Sequence, residues 1–184
     1  NLIVTIPNMV DPRTSIEGIK EYVNEVNARF IVSLGLAYPK VEKAIEGTAV
    51  DKIVVVSPAD SLTGIKKIIY QITNRSEKLS DACVRWDEFI QNGKKSDASY
   101  DSYKEKNCCV IVHTGGTTGF PKGVMLSNDN LNAAVQQALD SPILMSRQDK
   151  FLNIMPPFIA YGMVLGIHTA ISAGWHSIII PKFS

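Results

Sequence analysis

The sequence predicts an α/β fold in which one or more largely parallel sheets are flanked by helices. Short apolar runs rich in β-branched residues alternate along the chain with longer segments whose apolar residues recur at helical spacing. Gly, Pro, Asn and Asp residues separate these segments, as is typical of turns. Strands that alternate with helices are joined by right-handed crossovers, so most strand pairs are expected to be parallel.

The first part of the chain is predicted to contain three strands and three helices in alternation. The strands are expected at residues 2–6, 30–34 and 53–56, and the helices at about 15–26, 38–45 and 62–72. Thr14, followed three residues later by Glu17, is predicted to form a capping box after a turn at residues 7–12. Gly47 suits the position just beyond the second helix, and the β-branched run at 53–56 indicates a strand covered on both faces.

Residues 74–107 are more polar, and they separate this part from a second alternating region. The island at 84–90 is predicted to form one short helix, and residues 91–107 a surface loop. The expected strands after it are residues 108–112, 123–126, 151–155 and 177–180, and the expected helices are residues 128–139, capped by Ser127, and 163–172. We therefore predict a first α/β subdomain at 1–107 and the start of a neighbouring one at 108–184.

Composition excludes several classes of protein. The chain has 184 residues, of which 45% are hydrophobic and 20% charged, and its net charge of +1 gives no reason to expect a nucleic-acid partner. The longest apolar stretch, 154–171, is interrupted by prolines, a glycine and a histidine, so no transmembrane segment is predicted. Three cysteines without regular spacing argue against a disulfide framework and for a reducing, cytoplasmic location, and no metal-ligand spacing occurs.

Because the chain begins and stops beside strand-like runs, we expect it to be a piece of a longer protein.

The segment 114–124, Thr-Gly-Gly-Thr-Thr-Gly-Phe-Pro-Lys-Gly-Val, is the most informative in the chain. Glycines allow backbone N–H groups to turn inward, threonine hydroxyls donate further hydrogen bonds, and Lys122 adds a positive charge, so a phosphate site is predicted. The alternative is a flexible turn between two strands. The Walker A pattern fails because Lys122 precedes Gly123, and the dinucleotide fingerprint fails because Gly115 and Gly116 are adjacent. The residues predicted to bind phosphate are Thr114, Gly115, Gly116, Thr117, Thr118, Gly119 and Lys122.

His113, which directly precedes this loop, allows two interpretations. An imidazole at this point could contact a phosphate, but a histidine at the end of a strand more often packs against a neighbouring strand, and we favour that interpretation.

Residues 114–123 resemble the phosphate loop of the AMP-forming synthetases, the superfamily that includes acyl-CoA synthetases, peptide-synthetase adenylation domains and luciferases. Residues 126–131 resemble the Leu-Thr/Ser-His-x-Asn-Leu segment that follows in that family, with Asn128 in place of the histidine. Residues 155–162 resemble its Pro-Leu-Phe-His-x-x-Gly segment, which lines the carboxylate pocket, with Ile159 where many relatives have histidine. The resemblance implies that Phe158, Tyr161 and Gly162 bind substrate and that Lys122 and Thr118 are catalytic.

The resemblance also implies the fold and the reaction. The chain is expected to be part of the large N-terminal domain of an acyl-CoA synthetase, and this part is expected to be inactive in isolation. The substrates of the complete enzyme would be a small carboxylic acid, ATP and coenzyme A. Magnesium would be held through the ATP phosphates, and a place in fatty acid metabolism is implied. Two alternatives remain open at this point, an amino-acid adenylation domain that loads a carrier protein and a non-catalytic nucleotide-binding relative. The acyl group and the oligomeric state are left open by the sequence.

Overall fold

The structure is a computed structural model that describes residues 5–73, 79–80, 82–95, 102, 104–115, 121–141, 146 and 149–180. Its strands are β1 (Asn8–Met9), β2 (Phe30–Leu34), β3 (Lys52–Val56), β4 (Cys83–Arg85), β5 (Cys108–His113), β6 (Gly123–Ser127), β7 (Lys150–Asn153) and β8 (His176–Ile179). Its α-helices are α1 (Ile16–Glu25), α2 (Tyr38–Ala44), α3 (Gly64–Thr73), α4 (Trp86–Gly93), α5 (Asn128–Leu139) and α6 (Ala170–Ala173). Two short 3₁₀ turns, Gly35–Ala37 and Pro58–Ser61, and one π-helix, Gly162–Thr169, complete the described elements.

The described residues fall into two compact units, one within Pro12–Ala98 and the other within Asn1–Asp11 and Ser99–Ser184. The expected division between residues 107 and 108 stays a prediction. In the unit Pro12–Ala98, three parallel strands have the order β2-β3-β4. The core of this unit joins α1, α2 and the central strand β3, and consists of Ile19, Val23, Tyr38, Val41, Ala44, Ile53 and Val55. Burial of these largely apolar side chains is the main stabilising contribution to the unit.

Tyr38 places a hydroxyl group inside this core. Its ring is almost fully buried, and its hydroxyl hydrogen bonds to Glu42 and, at 3.3 Å, to the Ser80 side chain. The Ser80 backbone amide donates back to the same oxygen at 3.1 Å. Burial raises the pKa of Tyr38 above its ordinary value of 10.0, and hydrogen bonds with Cys83 and Glu42 act in the same direction.

The start of α1 differs by one residue from the sequence prediction. Ser15, rather than Thr14, is the N-cap, and its side chain accepts a hydrogen bond from the Gly18 amide at 3.1 Å. The predicted capping box of Thr14 and Glu17 is therefore wrong. The Thr14 methyl group lies 2.7 Å from where a Cβ atom on Gly18 would stand, and the Ser15 hydroxyl accepts from the Gly18 amide.

Two further elements differ from the predictions because pairing with a neighbouring strand decides their conformation. The first strand is Asn8–Met9, within the predicted turn; Thr5 and Ile6 are not in a strand, and the remainder of the predicted strand at 2–6 lies outside the described residues. β1 forms beside β5, where the Ile111 amide donates to the Pro7 carbonyl at 2.9 Å. The predicted helix at 84–90 begins only at Trp86, because Cys83–Arg85 pairs with β3.

In the unit formed by Asn1–Asp11 and Ser99–Ser184, the two described sheets have the orders β1-β5-β6 and β7-β8. The pairs β1–β5 and β7–β8 are parallel. Among the described strands, only β5 and β6 run antiparallel, as a hairpin around the glycine- and threonine-rich loop. The predicted α/β class with largely parallel sheets flanked by helices is confirmed. A search of the described helices finds none with both the length and the apolar character needed to cross a membrane.

Candidate functional site

The glycine- and threonine-rich loop is anchored at both ends by the β5–β6 hairpin. The last strand pair joins His113 to Gly123, and the Thr114 amide then donates to the Lys122 carbonyl at 3.1 Å. This hydrogen bond brings the first and the last of the predicted phosphate contacts, Thr114 and Lys122, side by side. The loop is therefore held open at a fixed width where the sheet ends, as the sequence predicts for residues between two strands.

Thr114, Gly115 and Lys122 are all exposed at this end of the hairpin. A Cβ atom built on Gly115 would meet no atom of the described residues within 4 Å, so none of those residues fills the space beside its backbone. Four further predicted phosphate contacts, Gly116, Thr117, Thr118 and Gly119, lie outside the described residues. The described ends of the loop thus present a hydroxyl, backbone and an ammonium group to an accessible space, which is a donor set that suits an anion.

The hairpin itself is fixed by apolar packing beneath the loop. Val110 and Val112 on β5 are buried, and the Cys109 thiol donates to the Leu126 carbonyl on β6 at 3.2 Å. Burial raises the pKa of the Cys109 thiol, and the neighbouring Cys108 raises it further. Cys109 is consequently a protonated packing residue and not an activated nucleophile.

His113 links the base of the loop to β1. Its Nδ1 lies 3.1 Å from the Met9 carbonyl oxygen, so this nitrogen carries the proton and donates. The interpretation of His113 as a packing residue at the strand end agrees with this contact.

Ser127 ends β6 and caps α5. Its hydroxyl accepts from the Asn130 amide at 3.2 Å, while the Asn130 side chain accepts from the Ser127 amide at 2.9 Å, forming a capping box. The predicted cap is confirmed. Asn128, which stands where the related motif has histidine, donates its side-chain amide to the Lys104 carbonyl at 2.9 Å. The outgoing end of the hairpin is therefore tied to a helix and to the segment that precedes β5.

A second predicted site segment runs from β7 through a turn into the π-helix. Phe158 is partly buried in this turn, whereas the Tyr161 side chain is 55% exposed. Gly162 is buried, and a Cβ atom there would lie 2.7 Å from the Pro156 carbonyl carbon and 2.8 Å from the Met155 carbonyl oxygen. Of the three residues, Tyr161 alone is exposed.

The helix predicted at 163–172 is present, and most of it has π-helical geometry. Thr169 Oγ1 donates to the Val164 carbonyl, five residues earlier, at 2.9 Å. The helix is joined to α5 by a 3.2 Å contact between His168 Nε2 and Asn132 Oδ1.

Sequence reasoning missed one pair of residues beside this segment, Asn153 and Gly166. Asn153 ends β7, is 3% exposed, and its side-chain amide lies directly against Gly166 on the helix. The spacing Gly-x-x-x-Gly from Gly162 to Gly166 was the available signal, because it places two glycines on the same helix face. Within the described ranges there is no group of three or more His, Cys, Asp or Glu side chains that could hold a metal ion.

Comparison with known proteins places these features in context. Residues 3–184 match the family model described as AMP-binding enzyme. The chain is 29% identical over 174 residues to a long-chain-fatty-acid–CoA ligase of Bacillus subtilis (strain 168), covering 88% of this chain and 30% of that protein. It is 25% identical over 182 residues to a probable 4-coumarate–CoA ligase 1 of Dictyostelium discoideum, covering 97% of this chain and 32% of that protein. The chain therefore spans about a third of the length of these curated relatives.

The fold is also found in a solved structure. The anthranilate CoA ligase AuaEII, determined in complex with anthranoyl-AMP, superposes with a TM-score of 0.75 at 16% identity, over 97% of this chain and 31% of that one. This likeness establishes the fold.

Proposed function

The chain belongs to the family of AMP-binding enzymes, and from this premise we propose that the complete protein is an AMP-forming acyl-CoA synthetase. The observation that carries the proposal is the hairpin loop, whose described ends, Thr114, Gly115 and Lys122, are exposed beside open space and fixed by the bond between Thr114 and Lys122. The names of the relatives favour coenzyme A as the acceptor of the acyl group.

In the first half-reaction, a carboxylate oxygen attacks the α-phosphorus of ATP. A new phosphorus–oxygen bond forms, the bond to the β-phosphate oxygen breaks, and the products are an acyl-adenylate and pyrophosphate. Negative charge accumulates on the departing pyrophosphate. We assign its stabilisation to the Lys122 ammonium, to the hydroxyls of Thr114, Thr117 and Thr118, and to the amides around Gly115, Gly116 and Gly119. Preorganised donors of this kind commonly contribute about 3–4 kcal/mol each to the stabilisation of a transition state.

The hydroxyl, amide and ammonium donors of the loop suit a phosphate anion, and the described residues contain no group of three or more His, Cys, Asp or Glu side chains that could hold a metal ion. We propose that Mg²⁺ enters with ATP, on the phosphate oxygens, as is usual for this ion. No base is required from the protein, because a carboxylic acid is already ionised at neutral pH.

In the second half-reaction, the thiol of coenzyme A attacks the acyl carbon, AMP leaves, and a thioester forms. We assign no residue of this chain to that step. Phe158 and Tyr161 are proposed to face the acyl part of the substrate, since residues 155–162 resemble the family segment that lines the carboxylate pocket. The 184 residues alone are proposed to be inactive, because they correspond to about a third of the relatives, and acyl-adenylate formation by this chain in isolation would contradict that.

The test is ATP–pyrophosphate exchange by the complete protein with a panel of carboxylic acids, followed by detection of the CoA thioester. We expect exchange with at least one acid, and a loss of about 100-fold in the Lys122→Ala variant with the fold retained. Lys106→Ala is the matched control, because Lys106 is also exposed and precedes β5 in the same unit. Equal exchange rates in the two variants would remove Lys122 from the mechanism, and no exchange with any acid would contradict the proposed function.

A further inference from the structure

We propose that Gly162 and Gly166 are positioning residues that fix the turn carrying Phe158 and Tyr161, and that they thereby determine which carboxylic acids the enzyme accepts. This inference rests on the proposed function. It assigns to the two glycines a role in substrate specificity that requires no contact between either glycine and the substrate.

The first observation is the contact between Gly162 and the preceding turn. A Cβ atom on Gly162 would lie less than 3.0 Å from the carbonyl carbon and oxygen of Pro156 and from the Met155 carbonyl oxygen. These are backbone atoms, so a rotamer change cannot relieve the overlap. Because Gly162 is also buried, only a residue without a side chain lets the turn pack this closely against the start of the π-helix.

The second observation is the contact one helical turn later. A Cβ atom on Gly166 would overlap the side-chain amide of Asn153, which is itself 3% exposed. Asn153 is fixed in β7, where its carbonyl accepts from the Ile180 amide at 3.0 Å and its register partner is Ile179 on β8. The Ser177 hydroxyl donates to the Gly166 carbonyl at 3.1 Å, so the helix is attached to the sheet on the same side.

Between these two contacts, the chain has little freedom. The Ile159 amide donates to the Pro156 carbonyl at 3.3 Å, and the Met163 amide donates to the Ile159 carbonyl at 3.0 Å, which closes the turn onto the helix. Phe158 and Tyr161 lie within this closed turn. A substituent on Gly162 would therefore displace both rings by on the order of 1 Å, and displacements of that size can reduce the rate for a poorly positioned substrate by up to about 100-fold.

The contacts of the two glycines involve β7, β8 and the turn, and none of them involves the β5–β6 hairpin. Substitution of either glycine should therefore affect two Michaelis constants differently. The KM for the carboxylic acid should change when either glycine is substituted, whereas the KM for ATP should not.

The experiment measures both constants by pyrophosphate exchange in the complete protein, for Gly162→Ala, Gly166→Ala and Gly166→Ala combined with Asn153→Ala. Gly93→Ala is the control, because a Cβ there meets nothing within 4 Å. We expect the ratio of carboxylate KM to ATP KM to rise by about tenfold or more for Gly162→Ala and Gly166→Ala, and to be unchanged for Gly93→Ala. We expect Asn153→Ala to reverse most of the effect at Gly166, because it removes the side chain that the new methyl group meets.

An unchanged ratio in folded Gly162→Ala, or an equal rise of both constants, would overturn the inference while exchange by the parent protein upholds the proposed function. If Gly162→Ala does not fold, the Gly166 variants decide, and an unchanged ratio in them, or no reversal by Asn153→Ala, overturns the inference. Absence of exchange by the parent protein itself would instead overturn the proposed function, and this inference with it.

Discussion

The glycine that opens the hairpin loop and the glycines of the π-helix have opposite surroundings. Gly115 has open space where a side chain would lie, whereas Gly162 and Gly166 are pressed against the Pro156 carbonyl and the Asn153 amide. At the loop, the missing side chain leaves the backbone accessible to a ligand. At the helix, it allows two segments to approach more closely than any other residue would permit. The structural role of a glycine in a sequence motif therefore depends on the atoms around it.

The means by which the two regions are fixed differ as well. A backbone hydrogen bond between Thr114 and Lys122 fixes the separation of the two ends of the loop, and Thr114, Gly115 and Lys122 are exposed there. The turn before the π-helix is set by close packing. Changes in the loop should therefore alter ligand binding with little effect on stability, whereas changes at the helix should alter both.

The largest expected effect on stability is that of Gly162→Ala. The new methyl group overlaps backbone atoms of Pro156, and relief of such overpacking typically costs about 1–3 kcal/mol. Chemical denaturation of the complete protein would measure the free energy of unfolding, with Gly93→Ala as the control. A variant as stable as the parent protein would show that the helix glycines are not sterically required and would abolish the contrast with the loop.

Ser127→Ala should have the next largest effect. It removes the hydroxyl that caps α5, and the loss of such an N-cap costs about 1 kcal/mol. Ser127→Thr, which retains a hydroxyl, should preserve most of the stability in the same denaturation experiment. Because Ser127 ends the outgoing strand of the hairpin, we also expect the KM for ATP to change more than the KM for the carboxylic acid, and the reverse order would contradict the assignment of this region to the nucleotide.

Tyr38 provides a reference outside both glycine regions, through the dependence of stability on pH. Its folded-state pKa is raised above the ordinary value of 10.0, so its contribution to stability is fully present below about pH 10 and is lost as pH rises through the folded-state pKa. Tyr38→Phe should lower stability near neutral pH, because the bonds to Ser80 and Glu42 are lost, and the difference from the parent should shrink in alkali. A difference that stays constant from pH 8 to pH 11 would contradict this account.

The smallest effect on stability is expected for Gly115→Ala. A Cβ there meets no atom of the described part of the chain within 4 Å, and the free energy of unfolding should change by less than about 0.5 kcal/mol. The same methyl group occupies the space proposed for phosphate, so calorimetry of ATP binding should show a several-fold loss of affinity. A strongly destabilised variant with normal ATP affinity would contradict the difference proposed here between the loop glycine and the two helix glycines.

Local patterns were sufficient to predict much of the fold and the position of the loop. The run Phe30–Leu34 forms the predicted strand, Ser127 caps the predicted helix, and the loop lies between two strands as expected. Long-range contacts decided the rest. The two-residue strand Asn8–Met9 exists because β5 offers it a partner, and Cys83–Arg85 is extended because it adds to β3.

The contacts of the π-helix glycines could not be predicted for the same reason. Gly162 and Gly166 are visible in the sequence, but Pro156 and Asn153, which they meet, are recognised only once the turn and the sheet are in place. The choice of Ser15 over Thr14 as the cap of α1 is likewise not visible in the sequence, because both residues carry a side-chain hydroxyl that suits an N-cap. Sequence periodicity does not contain that information.

The most direct test of the central claim compares the binding of ATP and AMP to the complete protein by calorimetry. If the hairpin loop holds the phosphates that leave as pyrophosphate, Lys122→Ala should weaken ATP binding by about 10- to 100-fold, because a charge-assisted contact contributes on the order of 1.5–3 kcal/mol. AMP, which lacks those phosphates, should bind to Lys122→Ala and to the Lys106→Ala control with affinities within about twofold of the parent. An unchanged ATP affinity, or an equal loss for ATP and AMP, would contradict the account.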